Sequence, residues 1–128
     1  MSHALIFAYG TLRTNARNWA TYLAPRRGRA ATTAPQFTMR CIGCTATGYP
    51  VVEAHGNTEI QGELFEVDAS TLASIDDLEG HPTWYCREVQ PVWLPDQTVV
   101  EAWIYLMPTG QYPDAPIIES GNWLAASD

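Results

Sequence analysis

The sequence contains no lysine, and no aspartate or glutamate precedes Glu53. Six arginines lie before that residue and only Arg87 follows it, yet the net charge is −7. Proteins that bind nucleic acid present a basic surface to the phosphates, so this balance argues against a nucleic-acid partner. The early arginines could form a basic patch for an anionic ligand. We favour the alternative, in which they balance the acids of the later half once the chain folds.

Long hydrophobic runs are also missing. No stretch of about 18 apolar residues occurs, so no membrane-spanning helix is expected. The N-terminus, MSHALIFAYG, lacks the basic segment and the long apolar stretch of a secretory signal. We therefore predict a cytoplasmic protein without a membrane partner. A chain of 128 residues with 46% hydrophobic content fits one domain, residues 1–128, whose core needs no disulfide or metal.

Cysteine is scarce, with Cys41, Cys44 and Cys86 alone. An odd number without a secretory signal does not suggest a disulfide framework. The CIGC motif follows a strand-like segment, whereas a redox Cys-x-x-Cys usually opens a helix, and a structural zinc site usually needs a second pair. We expect buried free cysteines and no metal. A metal or thiol role for the three residues is the less favoured alternative.

Several familiar catalytic patterns are absent. The chain has neither the Gly-x-x-x-x-Gly-Lys phosphate loop nor the Gly-x-Gly-x-x-Gly dinucleotide motif, and it has no serine-centred nucleophile elbow. His3, His55 and His81 are spread without the spacing of metal ligands. Nucleotide binding and serine-hydrolase chemistry are thus not indicated.

Two segments are predicted to be helical. Residues 16–24 place Trp19 and Leu23 at helical spacing before Pro25. The clearer helix lies between residues 68 and 80, where an aspartate can cap the first turn and a glycine can end the last one.

Strands are predicted to dominate the rest of the chain. They cover residues 4–9, 36–42, 60–67, 85–93 and 99–106, and the last two form a hairpin across a Pro-Asp turn. Strand and helix do not alternate regularly, which argues against a parallel sheet. The sequence indicates an α+β domain built on a mostly antiparallel, bent or barrel-like sheet.

The segment LIFAYGTLR ends a buried strand on a glycine. Gly10 permits a positive φ or the close approach of a ligand to the backbone, and Thr11 adds a hydroxyl. A turn that points successive N–H groups into one space can hold a carboxylate or a polarised carbonyl oxygen. A glycine after a strand is also an ordinary turn, so this pattern alone leaves both interpretations open.

The segment IDDLEGHPTWY places Glu79 at the end of the second predicted helix. The negative end of the helix dipole and two nearby aspartates should raise the pKa of Glu79, and burial would raise it further. A carboxylate tuned in this way suits general acid/base catalysis near neutral pH. The residues alone favour the simpler alternative, a surface glutamate, with Asp76 and Asp77 solvated. Tyr49 and Tyr85 are candidates to line a pocket or merely to pack.

Taken together, these segments resemble the gamma-glutamylcyclotransferase-like proteins, specifically the short single-domain branch that includes the gamma-glutamylamine cyclotransferases. The matching pieces occur in family order: FAYGTLR, GYPVV, IQGELFEVD, LASIDDLEG, WYCREVQPV, AWIYL and IESGNWL. They cover nearly the whole chain. Asn15 stands near a position where many relatives have glycine, and since asparagine tolerates the left-handed region, the turn can survive.

The resemblance implies a small, bent, mostly antiparallel β-barrel with a few short peripheral helices. It also implies that Tyr9, Gly10, Thr11 and Leu12 bind the gamma-glutamyl part of a small substrate and that Glu79 is the catalytic glutamate. In the implied reaction the substrate's own amine attacks its γ-carbonyl and releases 5-oxoproline, without a cofactor or metal. We expect a monomer or weak dimer. The alternative function is a non-catalytic binding module that uses the same pocket.

Overall fold

The computed structural model describes residues 3–43 and 48–123. In these ranges the chain forms seven strands and two helices. Their bounds are β1 His3–Ala8, α1 Trp19–Tyr22, β2 Arg29–Thr33, β3 Phe37–Ile42, β4 Tyr49–Thr58, β5 Gln61–Asp68, α2 Ala69–Glu79, β6 Cys86–Trp93 and β7 Val99–Leu106.

Five strands close into a barrel in the order β1-β5-β2-β6-β7. Neighbouring barrel strands are antiparallel except β1 and β7, which run parallel with Ile6 opposite Trp103. The predicted hairpin is present, with Val89 of β6 opposite Trp103 of β7. Strands β3 and β4 form a separate antiparallel sheet in which Cys41 faces Pro50. The predicted α+β class and the small, mostly antiparallel barrel are therefore confirmed.

Successive residues of β1 serve two hydrophobic clusters. Phe7 packs with Leu64 and Ile104 in a cluster that draws on every barrel strand and fills the barrel. Ile6 points the other way and packs with Ile75 of α2, because neighbouring side chains of a strand face opposite sides. Burying each of these large side chains contributes roughly 1.5–3 kcal/mol. Helix α2 is thereby held against the outer face of the barrel, close to β1.

Helix α2 matches its prediction. A carboxylate oxygen of Asp68 accepts a hydrogen bond from the backbone N–H of Thr71 at 2.8 Å, which caps the first turn. Gly80 follows the last helical residue with φ 67°, in the left-handed region that glycine adopts without strain. Ile75 is fully buried in the middle of the helix. These features fix Glu79 as the final residue of α2.

Helix α1 is shorter than predicted. A helix over residues 16–24 was expected, but the observed one spans only Trp19–Tyr22. Asn15 adopts φ 68°, which interrupts a helix, and the backbone N–H of Asn18 donates to the carbonyl of Thr11 at 2.8 Å. The chain after β1 is thus wound into turns before α1 begins. The expectation that Asn15 supports a left-handed turn is confirmed.

The five predicted strands agree with the structure to within one residue at each end. Two further strands were not predicted. These are β2, which covers residues 29–33, and β4, which runs for 10 residues.

Ion pairs join the arginine-rich first part of the chain to later acids. The Nε of Arg13 lies 3.3 Å from a carboxylate oxygen of Glu63, and the Nε of Arg40 lies 3.3 Å from one of Glu53. The favoured interpretation, in which the two halves balance their charges, is confirmed for these arginines.

The cysteine prediction was wrong. Cys41 is buried but disulfide-bonded, and Cys86 is free but exposed, because it opens β6 on the outward side of the strand. Cys44 lies outside the described residues. Within residues 3–43 and 48–123, no group of three or more histidine, cysteine or acidic side chains is arranged to hold a metal. None of the helices in these ranges is long and apolar enough to cross a membrane.

Candidate active site

A cavity of about 170 Å³ opens where β1 ends, beside the C-terminal end of α2. Most of the site residues predicted from the sequence line this cavity. The lining residues are Tyr9, Gly10, Thr11, Arg17, Asn18, Tyr49, Pro50, Leu78, Glu79, Trp84 and Tyr85. Its volume suits a small ring or a short acyl chain.

We define residues Tyr9–Leu12 as the glycine turn, and its first three residues form part of the cavity wall. A Cβ atom on Gly10 would lie 2.7 Å from Cγ of Pro50 on β4, so a larger residue cannot fit there. Gly10 does not have a positive φ. Its requirement for glycine therefore comes from the close approach of Pro50 on β4, a reason not considered from sequence. The approach of a ligand to its backbone stays a prediction.

Thr11 is oriented within the glycine turn by a neighbour. The side-chain N–H of Asn18 donates to the hydroxyl oxygen of Thr11 at 2.9 Å. Since that oxygen accepts from Asn18, the hydroxyl proton of Thr11 is directed to another acceptor. Leu12, also predicted as a site residue, has its side chain buried in the cluster between α2 and the barrel and does not line the cavity.

Glu79, the last residue of α2, lines the same cavity. Burial raises the pKa of its carboxyl group from 4.5 to about 7. The predicted direction of the shift is confirmed. The cause differs, because desolvation of the charged form accounts for it rather than the helix dipole or the adjacent aspartates. The carboxyl group can thus exchange a proton near neutral pH.

Two tyrosines enclose the carboxylate. The hydroxyl of Tyr9 donates to the carbonyl of Tyr105 at 2.6 Å, and the hydroxyl of Tyr85 donates to the carbonyl of Pro50 at 2.9 Å. Burial raises the pKa of both tyrosines, and the nearby charge of Glu79 raises it further. The hydroxyl protons of both tyrosines are therefore committed to the protein, and the rings supply the apolar wall that desolvates Glu79.

Asp76, one helical turn before Glu79, anchors the end of α2. Its two carboxylate oxygens accept hydrogen bonds from Arg87 at 2.8 and 3.1 Å, and the hydroxyl of Tyr105 donates to it at 2.6 Å. Arg87 in turn lies 4.2 Å from the ring centroid of Trp103. The prediction that Asp76 is solvated was wrong, because β6 and β7 bring these partners to it. Asp77 is exposed as expected.

The mouth of the cavity is aromatic. The ring of Trp84 lies 5.8 Å from that of Tyr49, edge to face, and its indole N–H donates to the hydroxyl of Tyr112 at 3.2 Å. We call Tyr49, Trp84 and Tyr112 the aromatic rim. Trp84 is 37% exposed, which is high for so large an apolar side chain.

Sequence reasoning missed several lining residues, among them Arg17, Pro50, Leu78 and Trp84. Trp84 precedes the singled-out Tyr85 directly, and Pro50 follows Tyr49, so adjacency was the available signal. A larger cavity of about 610 Å³ lies elsewhere on the barrel, beside Thr33, Gln61 and Trp93. It contains none of the predicted site residues.

Comparison with known proteins agrees with this geometry. The family model described as "Gamma-glutamyl cyclotransferase, AIG2-like" matches residues 6–125. A candidate gamma-glutamylcyclotransferase of Methanocaldococcus jannaschii is 34% identical over 122 residues, covering 92% of this chain and 93% of that protein. The gamma-glutamylaminecyclotransferase of Rattus norvegicus is 33% identical over 99 residues, covering 68% of this chain and 60% of that protein.

Solved structures show the same fold. The crystal structure of an AIG2-like protein from Mus musculus superposes with a TM-score of 0.77 at 24% identity, covering 94% of this chain and 88% of that one. An uncharacterised protein from Pyrococcus horikoshii superposes with a TM-score of 0.67 at 22% identity, covering 94% and 89%. Because the family model spans almost the entire sequence, the chain belongs to the gamma-glutamyl cyclotransferase, AIG2-like family.

Proposed function

We propose that the protein is a gamma-glutamyl cyclotransferase that releases 5-oxoproline from a small gamma-glutamyl amine or gamma-glutamyl amino acid, with Glu79 as general acid and base. The observation that carries the proposal is that a carboxyl group with a pKa near 7 and the glycine turn line one small cavity. The gamma-glutamylaminecyclotransferase name of the rat relative supports the same reaction class.

The glycine turn holds the gamma-glutamyl part of the substrate. Backbone N–H groups of Gly10, Thr11 and Leu12 are suited to bind a carboxylate or a developing oxyanion, since small residues let the ligand approach the main chain. The hydroxyl of Thr11, already accepting from Asn18, adds a donor. Tyr9, Tyr49 and Tyr85 supply the surrounding walls. A bent glutamyl chain then brings its amino nitrogen towards its own γ-carbonyl.

The chemistry needs no enzyme nucleophile. The substrate's α-amino nitrogen forms a bond to its γ-carbonyl carbon, and the original γ carbon–nitrogen bond breaks. Ionised Glu79 accepts a proton from the attacking nitrogen and returns it to the departing amine, so the enzyme ends as it began. The carbonyl oxygen carries negative charge in between, which fixed backbone donors stabilise. Holding the two ends of the glutamyl chain together supplies the remaining acceleration.

The raised pKa of Glu79 suits this double role. A carboxylate with an ordinary pKa near 4.5 would be a weaker base and would accept the proton from the attacking nitrogen less readily. At about 7 the two forms are equally populated near physiological pH, which is the condition under which one group serves as both base and acid.

Product analysis tests the proposal. The purified protein is incubated with gamma-glutamyl-ε-lysine, gamma-glutamyl-alanine and glutathione, and 5-oxoproline is measured by mass spectrometry. We expect product from at least one substrate with the wild type and a strong loss with Glu79→Gln. Equal turnover by the variant would contradict the role of Glu79. Ligand that binds but is recovered intact in every case would favour the non-catalytic binding module.

A further inference from the structure

Arg17 is a cation that the proposed reaction does not use. Among the described lining residues of the cavity, only Arg17 and Glu79 carry charge. The Nη2 of Arg17 donates to the carbonyl of Gly48 at 2.9 Å, so its side chain extends from the segment after the glycine turn to the residue before β4. Arg17 is exposed, which places its guanidinium at the mouth of the cavity.

Arg17 and Glu79 belong to different parts of the cavity. Within residues 3–43 and 48–123, no ion pair joins the guanidinium of Arg17 to the carboxylate of Glu79. The reacting γ-carbonyl must lie close to Glu79, because that group moves the proton. Whatever Arg17 meets therefore lies further out, on the side from which the amine departs.

The size of the cavity leads to the same division. The cavity volume of about 170 Å³ lies below the roughly 300–1,000 Å³ of pockets that enclose a whole drug-sized ligand. This accommodates the glutamyl chain or the 5-oxoproline ring, and leaves the departing amine at the mouth. There it meets Arg17 and two residues of the aromatic rim, Tyr49 and Trp84, which line the same cavity.

We propose that the departing group is an α-amino acid with an apolar side chain, whose carboxylate binds Arg17 and whose side chain packs against Trp84 and Tyr49. This inference rests on the proposed function and selects one of its two substrate classes, gamma-glutamyl amino acids over gamma-glutamyl amines. Arginine suits the task because its planar fork of N–H groups matches the two oxygens of a carboxylate. The partly exposed indole of Trp84 offers the complementary apolar surface.

The test uses two substrates that differ only by a carboxylate, gamma-glutamyl-phenylalanine and gamma-glutamyl-phenethylamine. We expect wild-type kcat/KM to favour the phenylalanine compound by about tenfold, the value of one charge-assisted contact. Arg17→Gln should bring the ratio to about one by slowing the first substrate alone. High salt should reduce the ratio in the wild type and not in the variant, because the guanidinium is exposed.

The matched control is Arg27→Gln. Arg27 is also exposed, lies 5.4 Å from the ring centroid of Trp19 and does not line the cavity, so its loss should leave the ratio unchanged. Arg17→Lys keeps the charge without the fork and should give an intermediate ratio. For the apolar part, Trp84→Ala should reduce the preference for gamma-glutamyl-phenylalanine over gamma-glutamyl-alanine. Thermal unfolding of each variant checks that the fold is intact.

The outcomes separate this inference from the proposed function. If Arg17→Gln slows both substrates equally, Arg17 binds the part they share and the inference is wrong, although the protein remains a cyclotransferase. If no 5-oxoproline forms from any substrate, the proposed function fails. In that case the Kd values of gamma-glutamyl-phenylalanine and gamma-glutamyl-phenethylamine, measured by calorimetry, test the inference independently of turnover. An Arg17-dependent difference in Kd upholds the carboxylate contact, and equal Kd values overturn it.

Discussion

The last turn of α2 places two carboxyl groups, three residues apart, in opposite surroundings. On the side facing β6 and β7, Asp76 meets Arg87 and Tyr105. Burial alone would raise its pKa, but these hydrogen bonds outweigh burial and the pKa is lowered. On the side facing the cavity, Glu79 lies among aromatic rings, and burial raises its pKa to about 7.

The comparison shows that partners, rather than position in the helix, decide what a carboxyl group can do. Both groups lie at the negative end of the same helix dipole, so the dipole cannot distinguish them. Asp76 stays ionised and fixes the end of α2 to the barrel through Arg87 and Tyr105. Glu79 stays near its titration midpoint at neutral pH, which suits proton transfer. One turn of helix thus combines an anchor and a candidate catalyst.

The largest expected effect comes from removing the titrating group on the cavity side. Glu79→Gln should lower 5-oxoproline formation by roughly 10²–10⁴-fold, the usual contribution of a general acid/base. The matched control is Asp77→Asn, two residues earlier in the same turn and exposed, which should stay within about twofold of the wild type because it touches neither the cavity nor the anchor. Initial rates at saturating substrate measure both. A comparable loss from Asp77→Asn would mean that net charge, not Glu79, controls the rate.

A smaller effect is expected from breaking the anchor. Asp76→Asn should lower the free energy of unfolding by about 2 kcal/mol, since a partly buried arginine loses its carboxylate partner. Turnover should fall as well, by about tenfold, because Glu79 is less well positioned. Denaturant unfolding and steady-state kinetics measure the two effects.

The control for the anchor is Arg26→Gln, which removes an exposed ion pair with Asp68 at 4.0 Å. Little change in stability is expected there, because exposed pairs contribute little. If Asp76→Asn destabilises no more than this control, Asp76 does not anchor α2.

A further expected effect changes no rate and appears only in stability as a function of pH. Because the folded pKa of Glu79 is raised, its contribution to stability is complete below the unfolded value near 4.5 and is lost as pH rises through about 7. The wild type should therefore lose about 3 kcal/mol between pH 4.5 and 8 that Glu79→Gln does not lose. Asp76 acts in the opposite sense, and its stabilisation is lost as pH falls through its lowered pKa. Parallel wild-type and Glu79→Gln stability curves would contradict the raised pKa.

Much of the barrel and all of α2 could be predicted from local sequence. Asp68 caps α2, Gly80 ends it, and Ile75 is buried in the core. The residues that determine the helix therefore lie within it or directly next to it in sequence. In the predicted strands, apolar residues recur at every second position, so that one face of each strand is buried in the folded protein. Local chemistry and the final fold agree at these positions, which makes them predictable.

The missed elements depend on distant partners. Strand β2 contains small and polar residues, but hydrogen bonding to β5 and β6 on its two sides makes it a strand. The second half of β4 is exposed and polar, and its pairing with β3 resumes after a bulge at Phe37/Thr38. Helix α1 was overextended because its apolar spacing begins within the turns around Asn15.

Most of the predicted site residues line the cavity, but their contacts with one another could not be predicted from the sequence. Glu79 and the glycine turn could be singled out locally, whereas the burial that raises the pKa of Glu79 requires Tyr9 and Tyr85 from other elements. The partners of Asp76 lie 11 and 29 residues away in sequence. Arg17 joins the cavity through its contact with Gly48. These contacts between residues distant in sequence are determined by the closed barrel and not by spacing along the chain.

The most direct measurement is the titration of Glu79 itself, by ¹³C NMR on protein labelled at the glutamate carboxyl carbons, with Glu79→Gln to assign its signal. We predict a titration midpoint near pH 7, caused by burial in the cavity. A midpoint near 4.5 would show an ordinary, solvated glutamate and would contradict the claim that the fold prepares this carboxyl group for acid/base chemistry.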